Sequence, residues 1–336
     1  MTDDDRPELL TVGRVGVDLY PDVEGHPDVM GVPLEEVTHF SRSLGGTATN
    51  VAVGAARLGR RSAVLTKVGA DPFGGYVRSA LAGFGVDARY VGTAGDLLTP
   101  VVFCALDPPE DPPLLFYRRP VAPDLTLTRD DVPWDLVREV PVLWVTGTGV
   151  AAEPARGTQL AMLEHRGRVD ATSSGRARWT VLDLDWRAMF WESPEQAREQ
   201  YAQMLRHVTV AVGNRDEVEV AVGTREPLEA ARRLLDAGVQ LAVVKQGADG
   251  VLVATADGTT TVPPRRVRVV CGLGAGDAFG GALVHGLLSG WDPVRAAEHA
   301  NAAGAIVASR LACADAMPTI AELESVLGAD SLGATS

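Results

Sequence analysis

The sequence predicts an α/β fold, a three-layer α/β/α domain with a small β-sheet lid. Two observations carry this. From residue 142 onward, short apolar runs (142–146, 180–184, 208–213, 241–245) alternate with helical patterns (154–164, 194–205, 227–237). That is the rhythm of parallel strands covered by helices on both faces. Two segments, about 19–46 and 99–119, break the rhythm with turn formers and short alternating runs, which read as small strands standing off the core. With 336 residues, 46% of them hydrophobic, the chain can bury one large core.

In chain order, 1–8 and 328–336 read as flexible tails around a domain at 9–327. Residues 9–17 form an apolar strand ending among Gly13, Gly16 and Asp18. A helix over 48–58 closes at Gly59, where glycine suits a C-cap. A strand at 62–68 and a helix at 73–84 follow. Residues 99–106 and 114–118 make a hairpin around the proline-rich turn 107–113. Late in the chain, 251–254 and 259–262 pair about Asp257-Gly258. Helices over 276–289, 293–309 and 319–327 complete the fold. The polar stretch 167–178 is a loop without an assigned role.

The net charge of −13 and isoelectric point near 4.9 disfavour nucleic acid and anionic membranes as partners. An anionic substrate needs a local basic pocket set against that field. Three widely spaced cysteines, Cys104, Cys271 and Cys313, lack metal-site spacing and read as reduced buried thiols. The acidic N-terminus has the wrong sign for a targeting peptide, and no apolar run approaches the ~18 residues of a membrane span. These features predict a cytoplasmic protein. Arginine dominates the cations; Lys67 and Lys245 are the only lysines.

The segment Gly272 to Asp277 (GLGAGD) holds the most chemistry. Phe279, Leu283 and Leu287 share one helical face, so a helix starts near Gly276 with glycines just before it. Glycines expose backbone N–H groups and the helix start adds partial positive charge, which makes an anion site. Asp277 beside it serves either as a base for an attacking hydroxyl or only as an N-terminal helix stabiliser. Lys245 ends an apolar strand before the glycine-rich turn Gly247–Gly250, a point charge suited to phosphate. Asn214 and Glu217 have capping-box spacing. Gly147 to Ala152 fits the GxGxxA dinucleotide pattern, but the acidic residue that pattern needs is not at the end of a following strand, and no GxxxxGK[ST] loop exists.

Several motifs fall together in the order of a known family. Gly45-Gly46 with Asn50, Val68-Gly69-Ala70-Asp71 through Gly74, Asn214 with Glu217, Lys245 through Gly250, and Gly274-Ala275-Gly276-Asp277 resemble the ribokinase-like, or PfkB, carbohydrate kinases over about residues 9 to 327. Within that family, Gly13 to Tyr20, Leu114 to Arg118, Leu182 to Arg187 with Trp191, and Ala316 to Thr319 look most like the 5-dehydro-2-deoxygluconokinases of inositol catabolism. The resemblance implies ATP and Mg²⁺ as cofactors and a small sugar acid as acceptor. It implies Asp277 as catalytic base and Gly274, Ala275 and Gly276 as the anion hole. Asp18, Gly45, Gly46 and Asn50 would hold the sugar. Arg118, on the lid, and Arg187 would bind its carboxylate. Lys245, Gly247, Gly250, Asn214 and Asn301 would contact nucleotide, with Asn214 and Glu217 positioning the metal. An exposed lid edge suggests a homodimer. One departure stands out: Cys271, Gly272 and Leu273 occupy the place where the family often has Asp-Thr. Other acceptors (2-keto-3-deoxygluconate, fructose, ribose) and a catalytically silent sugar-binding role remain open from sequence.

Overall fold

The computed structural model describes residues 6–23, 31–167 and 178–333. Among them, the strands are β1 (Leu9–Val12), β2 (Gly16–Pro21), β3 (Phe40–Gly45), β4 (Ser62–Gly69), β5 (Val91–Ala94), β6 (Val101–Cys104), β7 (Leu114–Tyr117), β8 (Val142–Thr146), β9 (Trp179–Asp183), β10 (Val210–Asn214), β11 (Leu241–Lys245), β12 (Val251–Thr255) and β13 (Gly258–Val262). The helices are α1 (Thr47–Arg57), α2 (Pro72–Gly83), α3 (Trp134–Glu139), α4 (Ala155–Arg166), α5 (Pro194–Leu205), α6 (Arg215–Val222), α7 (Pro227–Asp236), α8 (Ala275–Leu288), α9 (Pro293–Ala308) and α10 (Ile320–Gly333).

The main sheet runs β13-β12-β11-β10-β9-β8-β1-β4-β5. Its pairs are parallel from β5 through β11, and β12 and β13 add an antiparallel edge. Successive strand residues point to opposite faces. Leu9, Val142 and Trp144 therefore pack with Val51 of α1 and with Phe279 and Leu283 of α8. Leu10, Leu143 and Val145 pack instead with Met162, Tyr201 and Leu234 of α4, α5 and α7. These are two separate cores, one on each side of the sheet, and they make the expected three layers.

The second sheet, ordered β3-β2-β6-β7, stands apart. It comes from the two segments that break the helix–strand rhythm, with two differences. The strand expected over 9–17 divides in two at Gly13, whose φ of 144° turns the chain out of the main sheet before β2. Part of the first segment forms a 3₁₀ turn at Leu34–Glu36 in place of a strand. Strand β5 is an edge element too short to announce itself. At the far end α10 carries on through Gly333, beyond the expected limit at Leu327. At the near end, Glu8 is tied by its N–H to Arg61 O at 2.7 Å. The loop expected at 167–178 lies almost wholly outside the described residues.

Helices α1 and α8 approach backbone to backbone. A Cβ on Gly281 would fall 2.8 Å from Ala55 N and from Gly54 C, and one on Gly280 would fall 2.8 Å from the Trp144 ring. In an ordinary helix interior, glycine to alanine stabilises by about 1 kcal/mol. Here the sign reverses, because the methyl group has only main chain to displace. Gly281→Ala is expected to lower stability by about 1–3 kcal/mol, read as an earlier urea midpoint; an unchanged or later midpoint would refute the close approach.

Candidate active site

The parallel strands end in a common cleft, where open α/β sheets bind ligands. Arg14 after β1, Asp185 after β9, and the last residues of β9, β10 and β11 (Asp183, Asn214 and Lys245) come to its floor. The second sheet supplies Asp18 of β2 and Phe116 of β7 from above. The start of α8 closes one side. The cavity measures about 360 Å³, and it brings together Asp18, Gly46, Asn50, Arg187, Asn214, Glu217, Lys245, Gly247 and the Gly274–Asp277 segment. A neighbouring groove of about 660 Å³ holds Gly250, Val251, Phe279 and Asn301, and it meets the first cavity at Lys245, Gly247, Ala275 and Gly276.

Gly274 takes the left-handed conformation at the N-cap of α8, with φ of 85°. A Cβ there would fall 2.8 Å from Cys313 Sγ. The Ala275 N–H donates back to Gly272 O over a long 3.3 Å, while those of Gly276 and Asp277 find no acceptor among the described residues. These two are the orphan donors of a helix start. Lys245 reaches the same place, since a Cβ on Gly276 would sit 3.2 Å from its Nζ. Its ammonium is also 3.9 Å from Glu217 Oε2. Burial works against the lysine's charge, but Glu217, Asp183, Asp277 and Asp185 outweigh it and raise the pKa.

Asp277 is held by one hydrogen bond, from Asn50 Nδ2 to Oδ2 at 2.8 Å. Desolvation raises its carboxyl to about 6; the Asn50 donor and the more distant Arg14 and Arg187 pull it down, and Asp185 pushes it up. Asp18 is raised further, to about 7, by burial and by Asp277, against the pull of Arg14. Gly45 makes room for it, because any Cβ at that position would overlap the Asp18 carboxyl. Gly46, with φ of 99°, packs against the main chain of Arg14 and Val15. The glycine pair thus serves close approach within the protein, with only Gly46 lining the cavity.

Asn214 and Glu217 do form a capping box on α6. Asn214 Oδ1 accepts from Glu217 N at 2.9 Å and Glu217 Oε2 accepts from Asn214 N at 2.6 Å. Glu217 Oε1 makes no hydrogen bond among the described residues. Beside it, burial and the carboxylates of Asp185, Glu217 and Asp277 push Asp183 well above its usual range, with Lys245 opposing. No set of three or more His, Cys, Asp or Glu side chains forms a metal cage among the described residues. A hydrated divalent ion shared with phosphates needs fewer protein ligands, and this crowding of carboxylate oxygens suits one.

Two expected contacts differ. Arg118 donates from Nη2 to both oxygens of Asp124 at 3.0 and 2.8 Å and stays out of the cavity lining. Its hydrogen bonds go to that buried partner, so it offers little to an acceptor. Cys271 packs with Tyr20, Cys104 and Cys313, and only Gly272 and Leu273 of the altered stretch face the cavity. Gly272 N–H donates to Pro109 O at 2.7 Å, which seats the β6–β7 turn on the loop before α8. Sequence reasoning assigned no role to Arg14, Asp183 or Asp185. The rejected GxGxxA stretch contributes as well: Thr148 Oγ1 donates to Asp185 Oδ2 at 2.6 Å. Backbone constraint is visible at Asp185, a non-glycine residue on the left-handed side at φ of 28°.

The pfkB family carbohydrate kinase pattern matches residues 6–320. The chain belongs to that family. A 5-dehydro-2-deoxygluconokinase of Clostridium tetani is 30% identical over 96% of this chain and 93% of its own length. One from Geobacillus thermodenitrificans is 30% identical over 96% and 94%. Among solved structures, a Vibrio cholerae fructokinase with fructose, ADP and potassium bound superposes with a TM-score of 0.80 at 26% identity, covering 95% of this chain and 98% of that one. A Salmonella enterica aminoimidazole riboside kinase, complexed with its riboside and an ATP analogue, gives 0.77 at 25% identity over 95% and 99%. The ribokinase-like fold and carbohydrate kinase class are thereby shown. No described helix is long and apolar enough to cross a membrane.

In this kinase the raised Asp277 has a consequence for stability. Its folded value of about 6 exceeds the ordinary 3.8, so the folded state holds the proton more tightly. The stability this brings is complete below the ordinary value and is lost as pH rises through about 6. The uncharged Asp277→Asn protein should therefore melt higher than the parent at pH 7.5, with the gap closing by pH 4. A parent that melts higher at pH 7.5 would contradict the desolvated carboxylate.

Proposed function

We propose that this carbohydrate kinase phosphorylates the primary hydroxyl of 5-dehydro-2-deoxy-D-gluconate with ATP and Mg²⁺, as a step of inositol catabolism in the cytoplasm. The observation that supports it most is the seam between the two cavities. There the unpartnered N–H groups of α8, the Lys245 ammonium and the Asp277 carboxylate converge. The names of the curated relatives supply the acceptor.

Asp18, Gly46 and Asn50 hold the acceptor's hydroxyl groups, and Arg187 meets its carboxylate at the cavity wall. Asp277 takes the proton of the attacking hydroxyl. Its pKa of about 6 still leaves it mostly ionised at neutral pH, and the elevation makes it a stronger base than an ordinary aspartate. The anion hole of Gly274, Ala275 and Gly276, with the Asp277 N–H, receives charge that grows on the transferred phosphoryl oxygens. Lys245 and Gly247 face the nucleotide's phosphates, and Gly250 and Asn301 line the groove for the rest of it. Asn214, Glu217 and Asp183 would hold Mg²⁺, directly or through water, and the ion would neutralise phosphate charge in a cleft already rich in carboxylates. The second sheet acts as the lid over the acceptor and limits entry of water. Its edge strand β7 leaves Leu115 and Tyr117 half exposed or more, an edge on which two copies would pair as a homodimer.

An acceptor panel with ATP tests the reading. 5-Dehydro-2-deoxygluconate should give the highest kcat/KM, ahead of 2-keto-3-deoxygluconate, fructose and ribose; a clear win for any of the others would displace it. Asp277→Asn should keep acceptor binding by calorimetry and lose about 100- to 10,000-fold in kcat. Undiminished turnover would remove the general base.

A further inference from the structure

The protein is strongly acidic, yet one corner of the acceptor cavity is basic. Arg14 follows β1, Arg118 follows β7, and Arg187 lies just beyond β9. Within ion-pair distance these three guanidinium groups share two buried carboxylates, Asp185 and Asp124, which leaves one positive charge in excess there, while Asp18 and Asp277 act on Arg14 from farther away. The two arginines that face the cavity are not used alike. Arg14 is buried and sends all its hydrogen bonds from Nη2: to Thr47 Oγ1 at 2.6 Å and to both oxygens of Asp185 at 3.1 Å. Its Nε is buried without a partner, and no hydrogen bond leaves Nη1. The Arg187 guanidinium approaches Asp185 Oδ1 only to 3.7 Å and makes no hydrogen bond among the described residues.

Asp185 therefore stands between two arginines, and it is itself fixed by Thr148 and by its left-handed backbone. Arg14 pulls its carboxyl down more than any other neighbour, with Arg187 next, enough to overcome burial. The aromatic rings of Phe116 and Phe190 lie 5.8 and 5.9 Å from the Arg14 guanidinium and limit its freedom. A planar, immobilised guanidinium with donors to spare fits a carboxylate. Neutral hydroxyl groups would gain little from the excess charge. Arg118 adds to that charge but has given its hydrogen bonds to Asp124.

We propose that Arg14 and Arg187, clamped about Asp185, form the subsite that reads the acceptor's carboxylate and selects a sugar acid over a neutral sugar. This deepens the proposed function and rests on it. Arg14 lies at the cavity floor and Arg187, 36% exposed, at its rim. Both are within electrostatic reach of Asp277. The acceptor's charged end is then anchored in the same cavity as the base.

The test compares 5-dehydro-2-deoxygluconate with its neutral counterpart, in which CH₂OH replaces the carboxylate. The parent should prefer the acid. Arg14→Met should cut the ratio of the two kcat/KM values by about 10- to 100-fold, the worth of one charge-assisted hydrogen bond. Should Arg14→Met fail to fold by circular dichroism, Arg187→Met, at the more exposed position, carries the same expectation. An unchanged ratio in the folded variant overturns the subsite while leaving the sugar-acid reading in place. A parent with no preference for the acid overturns that reading and this inference together.

Discussion

A hydrogen bond from Asn50 to Asp277 spans the first turns of two helices whose backbones nearly touch, and the cleft is arranged around it. Gly54 and Gly281 let α1 and α8 cross closely enough for the bond to form at 2.8 Å. Bulkier residues at that crossing would part the helices and leave a desolvated carboxylate with no donor, the costlier state for a buried charge. The same approach presents the helix-start N–H groups of α8 beside Lys245. One packing constraint thus fixes a buried carboxylate, a row of helix-start N–H groups and an ammonium in relation to each other.

Charge crowding is the second feature. Asp18, Asp183, Asp185, Glu217 and Asp277 share the cavity with Arg14, Arg187 and Lys245. Arg14 and Lys245 are raised, and Asp18, Asp183, Asp185 and Asp277 are shifted, by burial and by neighbours that only a folded chain brings together. Such an array is poor for stability and good for binding a polyanion with its metal. It is a place where function is built at the expense of the fold. Arginines and acids far apart in sequence meet here because the parallel strands all end on one side of the sheet.

Much of this was legible in sequence. Alternating apolar runs and amphipathic helices carry the three-layer fold, since burial on both faces of a parallel sheet leaves a periodic trace. The glycines before α8, the Asn214–Glu217 cap and the strand-end Lys245 could also be read, because each is a local pattern with a local cause. What stayed hidden was pairwise. Arg118 and Arg14 are both arginines near apolar residues, and nothing local says that Asp124 takes the first while the second faces the cavity. Asp183, inside the strand expected at 180–184, and Asp185, just beyond it, carried no assigned role. Gly45 reads as a place for a ligand to approach, whereas the group that needs the space is the Asp18 carboxyl. Strand β5 and the short helix α3 lack the length to show a period.

The central claim is that Asp277 acts as a base whose pKa is set by burial and moderated by Asn50. The acid limb of kcat/KM for the acceptor, measured at saturating ATP in the parent and in Asn50→Ala, tests it most directly. In the parent the rate should climb through pH of about 6. Loss of the Asn50 donor should carry that limb to higher pH, because the ionised form loses its one hydrogen bond. A limb that stays in place in Asn50→Ala, or a parent rate that does not change across this range, would contradict the account.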